Sequence, residues 1–417
     1  MTWNAIMESR QLIEAVGSII AHRSCEDMIG DDIAVWSDFF AAAYAHSFLP
    51  LAYDLTRNFK GFSLLPEEMR ESVRHRAKEL VLWQMVRSED FLKLLSTFND
   101  INTEFFVVKG ILCRQLYPSP NTRVSCDEDL WVSETFWEEF QKKLQAFGMI
   151  SLPDTKEEDC VQTWQKKDSG LVLEVHRHLF DDTQPYFQRM NGLFADASRR
   201  IVSVTVDGVD VPTMCPTDHM LYLVCHGLKH FLHSGFGLRQ LCDICLFAQA
   251  HEKEIQWNEF FERMALVRGA VFAASLFVAA REYLGFFIGS PDLEKYLSLA
   301  AKDTKPLFDD LLQSGIYGGS TMSRRHSSMI TLQKVNGGGR HSLWKTLFPA
   351  KDYLEKRYPY LKSHPYCLPV AWLQRLGGYG RELLGSSKDN SVRDSLALGK
   401  SRSILLEQYG ILAEPKS

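Results

Sequence analysis

The spacing of apolar and polar positions divides the chain into a helical region, a strand-rich region and a second helical region. From Trp3 to about Asn99, apolar residues recur at three- and four-residue spacing with charges between them, which is typical of amphipathic helices. Pro66, followed by acidic residues, predicts the start of one of these helices. The helical spacing returns at Pro216. The segment after about Ser386 is polar, and we expect it to add little to the core.

The sequence pattern changes at Ile101, where the middle region begins. There, short β-branched and aromatic runs alternate with turn residues. The runs "TEFFVVKG" and "DEDLWV" predict two strands joined by a short helix and a turn. Two further pairs of alternating runs predict hairpins, one turning around residues 168–170 and the other at Asp207-Gly208. The region up to Met214 therefore predicts a small mixed sheet with helices.

These patterns predict an α+β fold in which a sheet-containing core is flanked by helical lobes at both ends. The predicted divisions are an N-terminal helical lobe over residues 1–100, a core over 101–214, a C-terminal helical lobe over 215–385 and a polar tail over 386–417.

Composition and charge exclude some classes of partner. The chain has 417 residues, 45% hydrophobic and 24% charged, which is typical of a globular protein. A formal net charge of -5 and a pI near 6.2 argue against a general polyanion binder, so duplex nucleic acid is not an expected partner. The longest apolar run, 269–280, is shorter than the roughly 20 residues that cross a bilayer, so no membrane partner is expected.

Cysteine usage and the N-terminus point to a cellular compartment. The nine cysteines form an odd set without the regular spacing of a disulfide framework, so we expect reduced thiols. The first ten residues lack the basic-then-apolar order of a signal peptide. The sequence therefore predicts a cytoplasmic protein.

Asp127 and Asp129 occupy positions at which the strand pattern predicts apolar core residues. On a strand, Asp127 and Asp129 project to one face, whereas Glu128 between them faces the other way. Two such close carboxylates repel each other unless a cation such as Mg²⁺ or Mn²⁺ lies between them. Glu174, on the later strand "LVLEVHRH", shares a face with His176 and is a candidate third ligand. The simpler alternatives are an exposed acidic turn for the pair and a solvent-facing position for Glu174.

A Lys-Gly step precedes the aspartates. The run "VVKG" ends a predicted strand and opens a predicted helix, which places Gly110 at a helix N-terminus. Free backbone N–H groups and the helix dipole favour phosphate there, and glycine allows close approach. Lys109 adds a positive charge. The order of strand, Lys-Gly, helix, Asp-x-Asp strand and Glu strand is more specific than any of its parts.

These residues resemble a known family. The run "VVKGILCRQLYPSPNTRVSCDEDLWV" resembles the signature of the uncharacterised nucleotidyltransferase family within the DNA polymerase β-like superfamily. Further similar stretches are "LEVHRHL", "HMLYLVCHGLKH" and "LRQLCDICL", and the resemblance extends from about Phe39 to Leu384. The wider superfamily has Gly-Ser where this chain has Lys-Gly. Glu128, Cys126 and Trp131 depart from the usual pattern and leave the packing behind the strand open.

The resemblance implies a polymerase β-like core that moves a nucleoside monophosphate from an NTP to a hydroxyl acceptor with release of pyrophosphate. It implies Asp127, Asp129 and Glu174 as carboxylates that bind Mg²⁺ or Mn²⁺ and act in catalysis. The acceptor is a small molecule, a peptide or a protein. The nucleotide-binding residues that it implies are Lys109, Gly110, Arg123, Lys229, His230, Arg239 and Asp243.

Three other readings stay open at this stage. In the first, the protein keeps the nucleotidyltransferase fold but acts as a binding or antitoxin-like module with little or no catalysis. A zinc site is the second, formed from His226, His230 and His233 with the Cys242-x-x-Cys245 pair, although no HExxH glutamate is present. In the third, the glycine-rich stretches at 318–320 and 337–341 bind phosphate, although flexible linkers explain them more simply.

Overall fold

The fold was analysed in a computed structural model of the 417-residue chain. The structure describes residues 10–23, 29–30, 32–98, 104–152, 160–233, 236–314, 335, 351, 354, 358–374 and 404–412. The two glycine-rich stretches at 318–320 and 337–341 lie outside the described residues.

Helices form both ends of the described chain, and strands occupy its middle. The first helices are α1 Arg10–Ile20, α2 Ile33–Ala45, α3 Leu49–Thr56, α4 Lys60–Ser63 and α5 Glu67–Ser96. The middle contains β1 Phe105–Val108, α6 Gly110–Arg114, β2 Glu128–Val132, α7 Trp137–Ala146, β3 Ile150–Ser151, β4 Val161–Lys166, β5 Leu171–His176, α8 Pro185–Gly192, β6 Ile201–Val206 and β7 Val209–Met214. The later helices are α9 Pro216–Leu232, α10 Leu238–Ala250, α11 Trp257–Leu266, α12 Ala270–Leu284, α13 Pro291–Leu297, α14 Lys305–Ser314 and α15 Tyr360–Ser363.

The strands form one seven-stranded mixed sheet in the order β3-β4-β5-β2-β1-β7-β6. At its centre, β2 pairs antiparallel with β1 and parallel with β5, and β1 pairs parallel with β7. The predicted α+β class with a small mixed sheet is confirmed. Both predicted hairpins are also confirmed, because β4 pairs antiparallel with β5 and β6 with β7. Asp207 and Gly208 have φ of 48° and 81°, as a tight two-residue hairpin turn requires.

The two faces of the sheet pack against different helices. Phe105, Val107, Leu130 and Val132 belong to a hydrophobic cluster with residues of α5 and α7. Side chains of the other face, including Phe106, belong to a larger cluster with the N-terminal helices and helices α9 to α12. Alternation along β2 therefore places Glu128 on the face of the smaller cluster and Asp129 on the face of the larger one.

Helices from the two predicted lobes share that larger cluster, and α1 packs directly on α12. The predicted lobe divisions stay a prediction. The expectation that the polar tail adds little to the core was wrong. Leu406, Tyr409 and Ile411 are each at most 1% exposed and belong to the larger cluster. Three apolar residues within six positions are buried although the average composition of the segment is polar.

Long helix α5 illustrates how local sequence sets the elements. It begins directly after Pro66, with Glu67 and Glu68 in its first turn and Lys93 in its last, so the charges complement the helix dipole. The predicted helix start after Pro66 is confirmed. No helix in the described part of the chain combines the length and the apolar character needed to span a membrane. The eight cysteines among the described residues are free thiols.

Candidate metal and nucleotide site

The register of the central strands brings two acidic side chains together. Asp129 on β2 lies directly opposite Glu174 on β5 and opposite Val108 on β1. Directly opposite residues of paired strands project to the same face and lie side by side. Asp129 is almost fully buried, whereas the Glu174 side chain is 38% exposed. The Asp129 carboxylate is therefore inside the protein, and the Glu174 carboxylate reaches solvent.

His176 joins this pair. Its Nε2 atom lies 3.3 Å from Asp129 Oδ1 and 3.7 Å from Glu174 Oε2. One ligand atom from each of the three residues lies within 4.8 Å of the others, as a metal site requires. His176 is predicted from the strand alternation to share the face of Glu174, but it was not among the predicted site residues. Its position two residues along the same strand was the available signal.

Asp127 lies just before β2 and is half-buried. It is not in the group of three whose ligand atoms lie within 4.8 Å. It is nevertheless close enough to feel their charge, because burial and then the Asp129 carboxylate raise its pKa. Burial, Asp129 and Asp127 also raise the pKa of Glu174. The acidic groups therefore interact strongly, and a cation is the natural way to relieve their repulsion.

Lys109 supplies positive charge directly at the acidic group. Its Nζ atom lies 3.0 Å from Asp129 Oδ2 and 2.9 Å from His226 Nε2. Burial raises the pKa of Asp129, but Lys109 and a hydrogen bond from His176 outweigh it and hold that pKa well below its ordinary value. Asp129 is therefore ionised at neutral pH, and Lys109 is its counterion.

The Lys-Gly step has an unusual backbone. Lys109 has φ of 55° and ψ of -135°, and Gly110 has φ of 42°. A lysine in this region is strained, and such strain concentrates at functional sites. The Lys109 N–H points at His219 Nε2 at 3.4 Å. The sharp turn places the Lys109 side chain on the Asp129 face of the sheet while the chain enters α6.

The start of α6 is held by Glu128. Its Oε2 atom accepts a hydrogen bond of 2.7 Å from the Ile111 N–H, and its other oxygen pairs with Arg114. Glu128 thus faces away from Asp129, as the strand alternation predicts. The Ile111 N–H, one of the backbone donors predicted to bind phosphate, is therefore already hydrogen-bonded to Glu128. The departure from the family pattern at this position is explained by a buried ion pair with Arg114.

Gly110 is required at this turn for space. A Cβ atom there would lie 1.9 Å from Glu128 Oε2. We expect Gly110→Ala to lower the free energy of unfolding by about 2 to 5 kcal/mol, from backbone strain and overpacking together. Gly148→Ala is the matched control, because Gly148 also has a positive φ, +86°, but nothing within 4 Å of its Cβ position. Urea denaturation measures both, and equal losses would contradict the role assigned to the Glu128 contact.

Helix α9 covers the acidic group with a row of polar side chains at helical spacing, namely His219, Tyr222, His226, Lys229 and His230. Burial, and then the charge of Lys109, hold the pKa of His226 well below its ordinary value, so the ring is neutral. Burial and then Lys229 do the same to His230, whose Nε2 lies 3.1 Å from His226 Nε2. Burial and Lys109 lower the pKa of Lys229. The hydroxyl of Tyr222 is buried without a hydrogen-bond partner among the described residues.

Arg123 and Asp243 contact each other. Arg123 Nε and Nη2 donate to the two Asp243 oxygens at 2.9 and 2.6 Å, and the Tyr117 hydroxyl donates to Oδ1 at 2.8 Å. Arg239 donates to the carbonyl of Val124. These three predicted nucleotide-binding residues therefore link the loop before β2 to helix α10. Arg239 and Arg123 are also close enough for their charges to oppose the rise in the pKa of Asp127. The other three, Lys109, Lys229 and His230, interact with Asp129.

The zinc residues do not form one ligand set among the described residues. His233 stacks on Phe187, with ring centroids 5.4 Å apart. Cys242 and Cys245 are fully buried in the larger hydrophobic cluster. Burial raises the pKa of Cys242 to about 12, so it is a thiol rather than a metal-binding thiolate.

Comparison with known proteins identifies the family. Residues 33–285, more than half of the chain, match the model of a family described as uncharacterised nucleotidyltransferase. The chain therefore belongs to the uncharacterised nucleotidyltransferase family, as its motifs predict. No curated protein matches.

A solved structure of an antigenic nucleotidyltransferase-like protein from Paracoccidioides brasiliensis is similar at 13% identity and a TM-score of 0.32. The match covers 50% of this chain and 95% of that chain. A TM-score this low supports no conclusion about the site or its substrate.

Proposed function

We propose that this protein is a metal-dependent nucleotidyltransferase that moves a nucleoside monophosphate from an NTP to a hydroxyl group of an acceptor. The acceptor is a small molecule, a peptide or a protein, and pyrophosphate is released. The observation that carries the proposal is the convergence of Asp129, Glu174 and His176 on one face of the sheet, beside Lys109. Membership of the nucleotidyltransferase family supports the class of reaction.

The residues fit a divalent metal. Asp129 and Glu174 offer carboxylate oxygens, which Mg²⁺ and Mn²⁺ prefer, and Asp127 lies beside them as a third acid. His176 is a further ligand or, through its contact with Asp129, fixes the orientation of that carboxylate. When bound, such an ion supplies positive charge against the negative charge that develops on the transferred phosphoryl group.

The protein's own residues would divide the remaining work. The Glu174 carboxylate reaches the open side of the site, so it is the group that would take the proton of the acceptor hydroxyl. The acceptor oxygen would then form its bond to the α-phosphorus as the bond to the leaving pyrophosphate breaks. Lys109 and Lys229 would bind the phosphates, and His230 lies beside them. Burial of these groups strengthens each charge interaction.

The experiment is calorimetric titration of the protein with each of the four NTPs, with Mg²⁺ or Mn²⁺ and without metal. Mass spectrometry of the protein and of a cell extract incubated with the preferred NTP then detects an added nucleoside monophosphate, and pyrophosphate release is measured in parallel. Metal-dependent NTP binding with pyrophosphate release is expected. Binding without release with any extract would favour the catalytically inactive binding module, and no NTP binding at all would contradict the proposal. A cytoplasmic location stays a prediction from the sequence.

A further inference from the structure

We propose that Lys109 makes the acidic group select a metal–triphosphate complex over the free metal ion, so that divalent metal and triphosphate bind cooperatively. The proposal rests on the proposed function for the location of the metal and of the phosphates, but it does not require catalysis. It follows from the ion pair between Lys109 and Asp129, the strained backbone of Lys109 and the neutral groups around its ammonium.

Lys109 holds the position of a resident counterion. Its ammonium lies 3.0 Å from Asp129 Oδ2, and the Asp129 side chain is 4% exposed. Because a buried carboxylate requires a paired positive charge, this ion pair belongs to the resting protein. A divalent metal that binds Asp129 must therefore displace the ammonium or bind beside it. Either arrangement places two cations next to each other beside an almost fully buried carboxylate.

Among the described residues, Asp129 is the carboxylate that forms an ion pair with the Lys109 ammonium. Asp127 acts on this ammonium only through its charge, without a direct contact. The ammonium also contacts His226 Nε2 at 2.9 Å, and it lies 5.9 Å from the centroid of the Tyr222 ring. His226 is neutral, so it can accept a hydrogen bond but does not balance charge. Lys229, on the next turn of α9, adds to the positive charge around the site. A free metal ion that binds Asp129 therefore breaks the ion pair between Asp129 and Lys109.

A triphosphate supplies the missing anion. Its oxygens accept hydrogen bonds from an ammonium that has left Asp129, and they carry the charge that His226 and Tyr222 lack. The turn with φ of 55° places the Lys109 side chain beside Asp129, and rotation of this long side chain would carry the ammonium from the carboxylate to the phosphates. Since the metal releases Lys109 toward the phosphates and the phosphates hold it away from Asp129, each ligand increases the affinity for the other by the same factor.

The test uses MnCl₂ and inorganic tripolyphosphate as probes, with the intact protein. Mn²⁺ binding is measured by electron paramagnetic resonance of free Mn²⁺, with and without tripolyphosphate, and chelation by tripolyphosphate alone is measured separately and subtracted. Tripolyphosphate is expected to tighten Mn²⁺ binding to the wild-type protein by about tenfold or more. Lys109→Met is expected to bind Mn²⁺ alone about tenfold more tightly than the wild type and to lose most of the enhancement by tripolyphosphate.

Lys166→Met is the matched control. The Lys166 ammonium also lies 3.0 Å from a partly buried carboxylate, that of Asp90, but this pair joins β4 to α5 outside the site. It should behave as the wild type. Lys109→Arg keeps the charge and should keep weak binding of Mn²⁺ alone. Thermal unfolding of each variant shows whether it is folded, and the wild-type comparison with and without tripolyphosphate tests the proposal without any variant.

The inference is overturned if tripolyphosphate leaves the Mn²⁺ affinity of the wild type unchanged, or if folded Lys109→Met binds Mn²⁺ no more tightly than the wild type. Either result together with NTP-dependent pyrophosphate release would remove the inference and leave the proposed function. Cooperative binding without pyrophosphate release would support the inference and remove the catalytic proposal.

Discussion

Asp129→Asn is expected to abolish Mn²⁺-dependent NTP binding, with a loss of metal affinity of at least about 100-fold. Asp129 lies at the centre of the site, because it contacts Lys109 and His176 and lies opposite Glu174. An asparagine keeps the shape but loses the charge that attracts the metal. It also leaves the Lys109 ammonium buried without a counterion, so a lower free energy of unfolding is expected as well.

Calorimetric titration of Mn²⁺ and NTP into the folded variant checks this result, at a temperature where circular dichroism shows wild-type structure. Asp90→Asn is the control, because its carboxylate has the same 3.0 Å contact with a lysine, Lys166, and lies away from the site. Retention of wild-type metal dependence by Asp129→Asn would contradict the assignment of the site. Glu174→Gln provides a useful contrast, because its amide keeps an oxygen for the metal but cannot take a proton. It is expected to lose transfer and to weaken metal-dependent NTP binding less than Asp129→Asn does.

Strand periodicity is a local property, so the positions of the candidate acids on their strands could be predicted from the sequence. Asp129 and Glu174 each interrupt a run of apolar residues, and the alternation along each strand places them on a definite face. The pairing of β2 with β5, which brings these two residues opposite each other, is not local. The spacing did not predict this pairing, and the family resemblance implied only that the acids share one metal site. The same applies to α9, whose polar row meets the sheet only in the tertiary structure.

Side-chain partners were the least predictable feature. The predicted phosphate-binding turn at Gly110 rested on free backbone donors, but Glu128 occupies the Ile111 N–H. Nothing in the sequence near Gly110 shows that an acid eighteen positions later returns to this helix. Similarly, Lys109 was predicted to bind phosphate, whereas its contact with Asp129 depends on the positive φ of the turn. Charge pairs between distant segments follow from packing, which a local pattern does not encode.

Asp243→Asn is expected to lower the free energy of unfolding by about 3 to 5 kcal/mol, because it leaves the Arg123 guanidinium buried without its counterion. Arg123 and Asp243 are 4% and 3% exposed, and they are joined by two hydrogen bonds. Burial opposes ionisation of Asp243, but Arg123 outweighs it, and the pKa of Asp243 lies below its ordinary value. Arg123→Met should cost a similar amount, since Asp243 would keep the Tyr117 hydroxyl and the more distant charge of Arg239 but lose its ion pair.

The double variant Arg123→Met, Asp243→Leu separates a structural role from a binding role. Replacing both charges with apolar side chains removes the unpaired group, so we expect it to recover much of the stability lost in either single variant. Urea denaturation of the wild type, Arg123→Met, Asp243→Leu and the double variant gives the coupling energy of the pair. If the pair only joins the loop before β2 to α10, the NTP affinity of the folded double variant should stay within about threefold of that of the wild type. Such a change corresponds to a difference in binding free energy well under about 1.4 kcal/mol. A much larger loss of affinity at recovered stability would instead assign these two residues to nucleotide binding, as the family resemblance implies.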